Sequence, residues 1–206
     1  MTDSQPLAEV NLLGGCLAVD FTNAPSYPGS PFQDLSWEDL ISFLEVARIV
    51  SAERGASLLA LPATDTKAAA FLLGRATRLR RTLRESFSAL VRGEPVPSGC
   101  ATPINEILRI TEGHDKLVHR EGAWKLEFVP RENGSDWLLA AIARSAAEIL
   151  AEPDSARLRT CANPECGLLF CDSSRTHRRR WCSMAVCGNR TKVRAYRRRG
   201  TAKSPG

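Results

Sequence analysis

The chain reads as an α+β protein: a mostly α-helical N-terminal domain with a small β-hairpin or sheet, followed by a small cysteine-rich module. Three observations predict this. Apolar residues recur at three- and four-residue intervals through much of the chain before Ala151. Two short runs of strand character flank Glu121-Gly122. Four cysteines then follow in the pattern C-x4-C-x15-C-x4-C between Cys161 and Cys187.

LAVDF, residues 17–21, is a short apolar run bounded by Gly14-Gly15 and Pro25, and reads as a strand. The proline-rich APSYPGSP that follows reads as a loop. Ser36 before Trp37-Glu38-Asp39 is close to a capping box, and Leu40, Ile41, Leu44, Ala47 and Ile49 make an apolar face, so a helix is expected over about 37–53. Thr64 or Asp65 caps the longest helical pattern, which ends at Gly93 after Arg92. Phe71, Leu72, Leu79, Leu83, Phe87 and Leu90 form its apolar stripe, while Arg78, Arg81 and Arg84 read as a solvated face.

EPVPSG is a linker, and Thr102-Pro103 opens a short helix. KLVHR and AWKLEFV form a hairpin, and Ser135-Asp136 starts a further helix rich in alanine and leucine. The composition changes at Glu152-Pro153-Asp154. The expected division is therefore a domain over 1–152, a module over 157–200 and a tail over 201–206. Trp37, Trp124 and Trp137 read as core or interface residues.

At 206 residues, 43% of them hydrophobic and 25% charged, the chain can bury a core without a disulfide framework. MTDSQPLAEV has neither the basic nor the apolar region of a signal peptide, and no apolar run approaches membrane-spanning length. A cytoplasmic protein is expected, in which clustered thiols hold metal more often than they form disulfides. The net charge of +5 is uneven. The segment from Arg157 onward carries 13 Lys and Arg against 2 Asp and Glu, a net of +11, and the preceding residues carry 15 against 21, a net of −6. Such asymmetry points to a polyanion-binding segment on a neutral or acidic body.

Cys161 and Cys166 flank a four-residue loop followed by Gly167, and Cys182 and Cys187 repeat that spacing. Two such pairs are what a tetrahedral zinc ion takes, and four thiolates leave no open position for catalysis, so one structural Zn²⁺ is expected. The arrangement is a treble-clef-like zinc finger: a knuckle, a hairpin made by LLFCD and SSRTHRRRW, then a helix bearing the last ligands. Cys171, Cys16 and Cys100 find no partner and read as structural. His177 reads as a surface or phosphate-side residue.

Arg175, Arg178, Arg179 and Arg180 precede the third ligand; Arg190, Lys192, Arg194, Arg197, Arg198 and Arg199 follow the fourth. On a helix, positions 190, 194 and 197 share one face, which Arg198 extends, while Val193 and Tyr196 lie on another side. Arginine forks suit phosphate oxygens and guanine edges. A zinc tetrathiolate would lower the segment's net charge to about +9, which is still strongly cationic.

CGNR at 187–190, preceded by RRWCS at 179–183, resembles the CGNR zinc-finger family. The resemblance spans Arg159 to Arg198. It implies Cys161, Cys166, Cys182 and Cys187 as ligands, Trp181, Gly188, Asn189 and Arg190 as signature, and a C-terminal finger taken to bind DNA. Gly14-Gly15 and LAVDFTNAP resemble the opening of the ABATE domain that commonly precedes this finger, with Ala24 where a threonine is usual. That resemblance implies a stress-related bacterial transcription regulator.

Asp20 and Asn23 are the body's candidate polar site, either binding a small ligand or satisfying backbone N–H groups. The expected partner is duplex DNA, with a homodimer formed, or a ligand sensed, through the helical domain. RNA or the ribosome is one alternative, and an acidic protein is another. No catalytic pattern surrounds His114, His119 or His177, and no nucleotide-binding glycine string occurs, so an enzyme is not expected.

Overall fold

The computed structural model describes residues 12–24, 33–110, 113–120, 123–130 and 136–194. The expected loop over 25–31, the Glu121-Gly122 turn and Tyr196, Arg197, Arg198 and Arg199 lie outside them. Helices dominate: α1 (Leu17–Asn23), α2 (Trp37–Val46), α3 (Ala52–Leu59), α4 (Leu61–Thr64), α5 (Thr66–Arg92), α6 (Ala101–Ile110), α7 (Ala140–Ala151) and α8 (Pro153–Ala156). Two antiparallel pairs complete the fold, β1 (Gly113–Arg120) with β2 (Ala123–Pro130), and β3 (Leu158–Thr160) with β4 (Leu169–Cys171).

LAVDF is not a strand. It forms α1, in which Ala18, Val19, Asp20, Phe21, Thr22 and Asn23 are all buried. A helix enclosed on every side has no polar face, so its sequence carries no periodicity that distinguishes it from a buried strand. α1 packs on α5, α7 and β4. Phe21 tilts against Phe43 with ring centroids 5.2 Å apart, and the Ala18 N–H donates to Ser145 Oγ at 3.2 Å.

The helix expected over 37–53 stops at Val46. Ser36 and Asp39 do form a capping box at its start. Arg48 then takes a left-handed conformation (φ 57°) and Ser51 caps α3 afresh by accepting from the Arg54 N–H. The Trp37 indole donates to the Leu58 carbonyl at 3.1 Å, tying α3 back onto α2.

α5 follows its signals closely. Asp65 caps the start through the Ala68 N–H, and Gly93 ends it at φ 69°, a conformation glycine adopts without steric penalty. Leu72, Leu79, Leu83 and Phe87 are fully buried, whereas Phe71 is 58% exposed and so leaves the expected stripe. Arg80 is buried and donates to the Gln33 carbonyl at 2.7 Å. Of the three arginines expected to be solvated, Arg78 pairs with Glu106 at 3.2 Å and Arg84 reaches the Gly167 carbonyl at 3.2 Å.

The β1–β2 hairpin has the expected place, with Leu117 opposite Leu126 and His119 opposite Trp124. Trp37 is buried and Trp137 half-buried, but Trp124 is 68% exposed against His119 and lies outside the core.

The second antiparallel pair departs from expectation. LLFCD does not pair with SSRTHRRRW; Leu158, Arg159 and Thr160 pair with Cys171, Phe170 and Leu169. The knuckle Cys161–Cys166 therefore sits in the turn of the β3–β4 hairpin, and 173–183 form turns and bends. β4 is a wall shared by two cores. Leu169 and Cys171 belong to the helical core, while Leu168 and Phe170 belong to the cluster around the four cysteines, as the two-residue side-chain period dictates.

Cys16 and Cys171 are not partnerless: they form a disulfide between α1's N-cap and β4, with Cα atoms 6.2 Å apart and a sequence separation of 155. Cys100 is free and half-buried.

Candidate metal centre and cationic surface

The knuckle begins as β3 ends. The Cys161 N–H donates to the Leu168 carbonyl at 2.9 Å, and Gly167 takes φ 65°, turning the chain into β4. Inside the turn Asn163 is buried. Its Oδ1 accepts from the Glu165 N–H at 3.3 Å and its Nδ2 donates to Cys187 Sγ at 3.5 Å. The second pair stands at a helix start, as expected. Ser183 caps a π-turn over Met184–Gly188 by accepting from the Val186 N–H, and helix continues over 189–194. Gly188 is buried, and the exposed Met184 side chain lies across it, its Sδ close to where a Cβ would stand.

The sulfurs of Cys161, Cys166, Cys182 and Cys187 are buried and lie within 4.8 Å of one another. Cys182 Sγ is 3.6 Å from Cys166 Sγ and 3.7 Å from Cys187 Sγ. A tetrahedral Zn²⁺ with Zn–S near 2.3 Å has sulfur–sulfur edges of about 3.8 Å. The donor set therefore fits one zinc ion, held structurally with no open position. Electrostatics agree. The hydrogen bond from Cys182 lowers Cys166 to about 6, contact with Cys166 pushes Cys182 up, and burial pushes Cys187 up to about 11. Four sulfurs packed this closely do not ionise together without a cation among them. The Cys182 N–H also donates to Cys161 Sγ at 3.4 Å, a bond that strengthens when that sulfur is a thiolate.

Asp172 organises the loop before the third ligand. Its side chain is buried and accepts from the Ser174 N–H (3.1 Å), the Ser174 hydroxyl (2.6 Å) and the Arg179 N–H (3.0 Å), with Arg159 Nε at 3.4 Å. Asp172-Ser173-Ser174 carries the local signal of such a turn, an acid two residues ahead of the backbone N–H that it accepts from. Within this loop Arg175, Arg178 and Arg180 are exposed, and the Arg180 guanidinium lies 5.2 Å from the Trp181 ring centre.

Arg179 does not join that surface. Its guanidinium turns inward over the Phe170 ring (4.7 Å) and donates to the Trp181, Leu13 and Cys182 carbonyls. It is a strut inside the finger. On the terminal helix Arg190, Lys192 and Arg194 are exposed, Arg194 pairs with Glu165 of the knuckle at 2.5 Å, and Val193 is 49% exposed.

Asp20 and Asn23 face backbone. Asp20 Oδ1 accepts from the Gly14 N–H at 2.6 Å. Asn23 clamps β4 from both sides, donating to the Leu169 carbonyl at 2.8 Å and accepting from the Leu169 N–H at 3.1 Å. The Cys171 N–H donates to the Gly14 carbonyl at 2.6 Å. Together with the disulfide, these contacts make α1 the dock on which the finger's strand rests.

Burial pushes Asp20 up to about 6, against the Gly14 N–H, the Arg179 charge and the Gly15 N–H, which pull it down. The folded value lies above the ordinary one, so ionisation weakens folding. The contribution is intact below about pH 4 and is lost as pH rises through about 6, on the order of 3 kcal/mol in full. Asp20→Asn keeps an acceptor for Gly14. Its stability relative to wild type should therefore grow between pH 4 and pH 7 in denaturant titrations; a gap constant with pH contradicts this assignment.

Fold and site together define a protein with a helical body and a docked structural-zinc finger. The ABATE family profile, described as "Putative stress-induced transcription regulator", matches residues 15–153, and the CGNR zinc finger profile matches residues 157–200. The chain belongs to the ABATE family and carries a CGNR zinc finger. No curated protein matches it. Among the described residues no helix is long and apolar enough to cross a membrane.

Proposed function

We propose that the chain is a zinc-dependent, duplex-DNA-binding transcription regulator, not an enzyme, whose helical domain serves for dimerisation or ligand sensing. The observation that carries this reading is the exposed set Arg175, Arg178, Arg180, Arg190, Lys192 and Arg194, mounted on both sides of a four-cysteine metal centre. Zinc fixes the two chain segments that present these cations, so charge placement depends on metal. The regulator description of the body's family supports the same reading.

Duplex is favoured over single-stranded nucleic acid because no Phe, Tyr or Trp side chain stands fully exposed among the described finger residues. Among the described finger residues the aromatic side chains are Phe170, which is buried, and Trp181, which is half-buried beside Arg180.

Fluorescence anisotropy with a labelled duplex tests the proposal. Binding should weaken linearly in log affinity against log salt and disappear when zinc is chelated. Arg194→Ala should flatten the slope by about one unit, and Glu165→Gln, which releases Arg194 from its pair, should strengthen binding. Zinc-independent binding, or an unchanged slope in Arg194→Ala, contradicts the assignment.

A further inference from the structure

Arg157 and Arg159 lie outside the exposed cation set of the proposed interface, and His177, read from the sequence as a surface or phosphate-side residue, stands beside them. Arg157 precedes β3 at φ 45° and His177 lies in the Asp172 loop at φ 51°, both left-handed conformations that non-glycine residues seldom adopt. The two meet side chain to side chain, Arg157 Nη1 against His177 Nε2. Arg159 Nη2 donates to the His177 carbonyl at 2.9 Å, while its Nε faces Asp172 at 3.4 Å. His177 Nδ1 lies 3.4 Å from the Asp172 carbonyl; donation there leaves Nε2 to accept from Arg157.

Three exposed side chains thus converge on one notch, with two guanidinium groups in it. The neighbouring acid, Asp172, is buried, pairs with Arg159 Nε at 3.4 Å and is also held by Ser174 and the Arg179 N–H, so one carboxylate offsets part of the charge of two guanidinium groups and the cluster stays net cationic. Backbone held in uncommon conformations to bring cations together is a feature of binding surfaces more than of packing. Arginine forks arranged this way match the oxygens of a phosphodiester.

We propose that the Arg157–Arg159–His177 notch receives a backbone phosphate of the bound duplex. This rests on the DNA-binding reading and adds a contact on the β3 side of the finger, remote in sequence from the terminal helix. The notch supplies register and affinity, not base recognition.

The test uses the full-length zinc-loaded chain and variants suited to the local backbone. Arg157→Gly removes a cation where glycine is at ease, and Arg159→Gln keeps a donor toward the His177 carbonyl. With a labelled duplex, each single variant should flatten the log affinity–log salt slope, and the double variant should flatten it by about one unit, the share of the single phosphate held there, with one zinc per chain retained. Unchanged slopes beside a wild type that binds duplex overturn the notch and leave the DNA reading standing. That holds equally if the variants melt earlier, because lost packing alone does not alter the slope. A wild type that fails to bind duplex overturns both. A slope change seen only with RNA of equal length overturns the duplex assignment.

Discussion

Cys182→Ser should strip the chain of zinc and unfold the finger while the helical body remains folded. Cys182 is fully buried and touches all three other ligands: its sulfur lies 3.6 Å from Cys166 and 3.7 Å from Cys187, and its N–H donates to Cys161. Serine there leaves three thiolates and a hydroxyl that is a poor zinc ligand. Structural zinc sites are worth about 10–16 kcal/mol at neutral pH in small finger peptides, more than the cluster of Leu168, Phe170 and the cysteines can replace. The body should survive because most of its core comes from α1, α2, α5, α6 and α7, with the finger adding only Leu169 and Cys171 among the buried residues. Metal analysis should fall from one zinc per chain to none, with helical circular dichroism largely kept. A variant that retains one zinc contradicts the ligand assignment.

Removing the Cys16–Cys171 disulfide should lower stability by about 2–5 kcal/mol and leave zinc in place. Loss of a cross-link frees the unfolded chain by an entropy that grows with the logarithm of the loop it closes, and a sequence separation of 155 makes a long loop. The native state should change little. Asn23 still holds Leu169 by two hydrogen bonds, the Cys171 N–H still meets Gly14, and neither sulfur belongs to the metal cluster. The double variant Cys16→Ser/Cys171→Ser avoids a stray thiol beside the metal. Its denaturant midpoint should drop, and wild type should show the same drop with reductant at fixed zinc. A midpoint unmoved in both, or zinc lost with the disulfide, contradicts this account of the cross-link.

The two predictions concern features that were unequally legible in the sequence. The metal ligands are paired over short, equal intervals, so Cys161, Cys166, Cys182 and Cys187 declare themselves without knowledge of the fold. Helix α5 was equally plain because its caps, Asp65 and Gly93, are local. Cys16 and Cys171 meet only because α1 packs on β4, a tertiary contact that no local pattern encodes. α1 itself misled because a helix buried all round shows no amphipathic period, and a seven-residue run fits a strand as well.

β4 misled for a related reason. Its cysteine cluster suggested pairing forward, within the metal loop, whereas Leu158–Thr160 upstream offered the register. Cations were countable from the sequence but their directions were not. Arg179 and Arg180 are neighbours, yet one braces the Cys182 carbonyl and the other faces solvent. Arg84, expected to be solvated, instead reaches the knuckle at Gly167.

The proposed function makes duplex-DNA binding depend on the zinc-ordered finger. Selection of bound fragments from a random duplex pool, at physiological salt with and without a zinc chelator, tests it most directly. The account predicts an enriched motif that vanishes on chelation, and a palindromic motif if the helical domain dimerises. A pool bound without enrichment, and equally well after zinc is removed, would contradict it and reduce the arginines to a general polyanion surface.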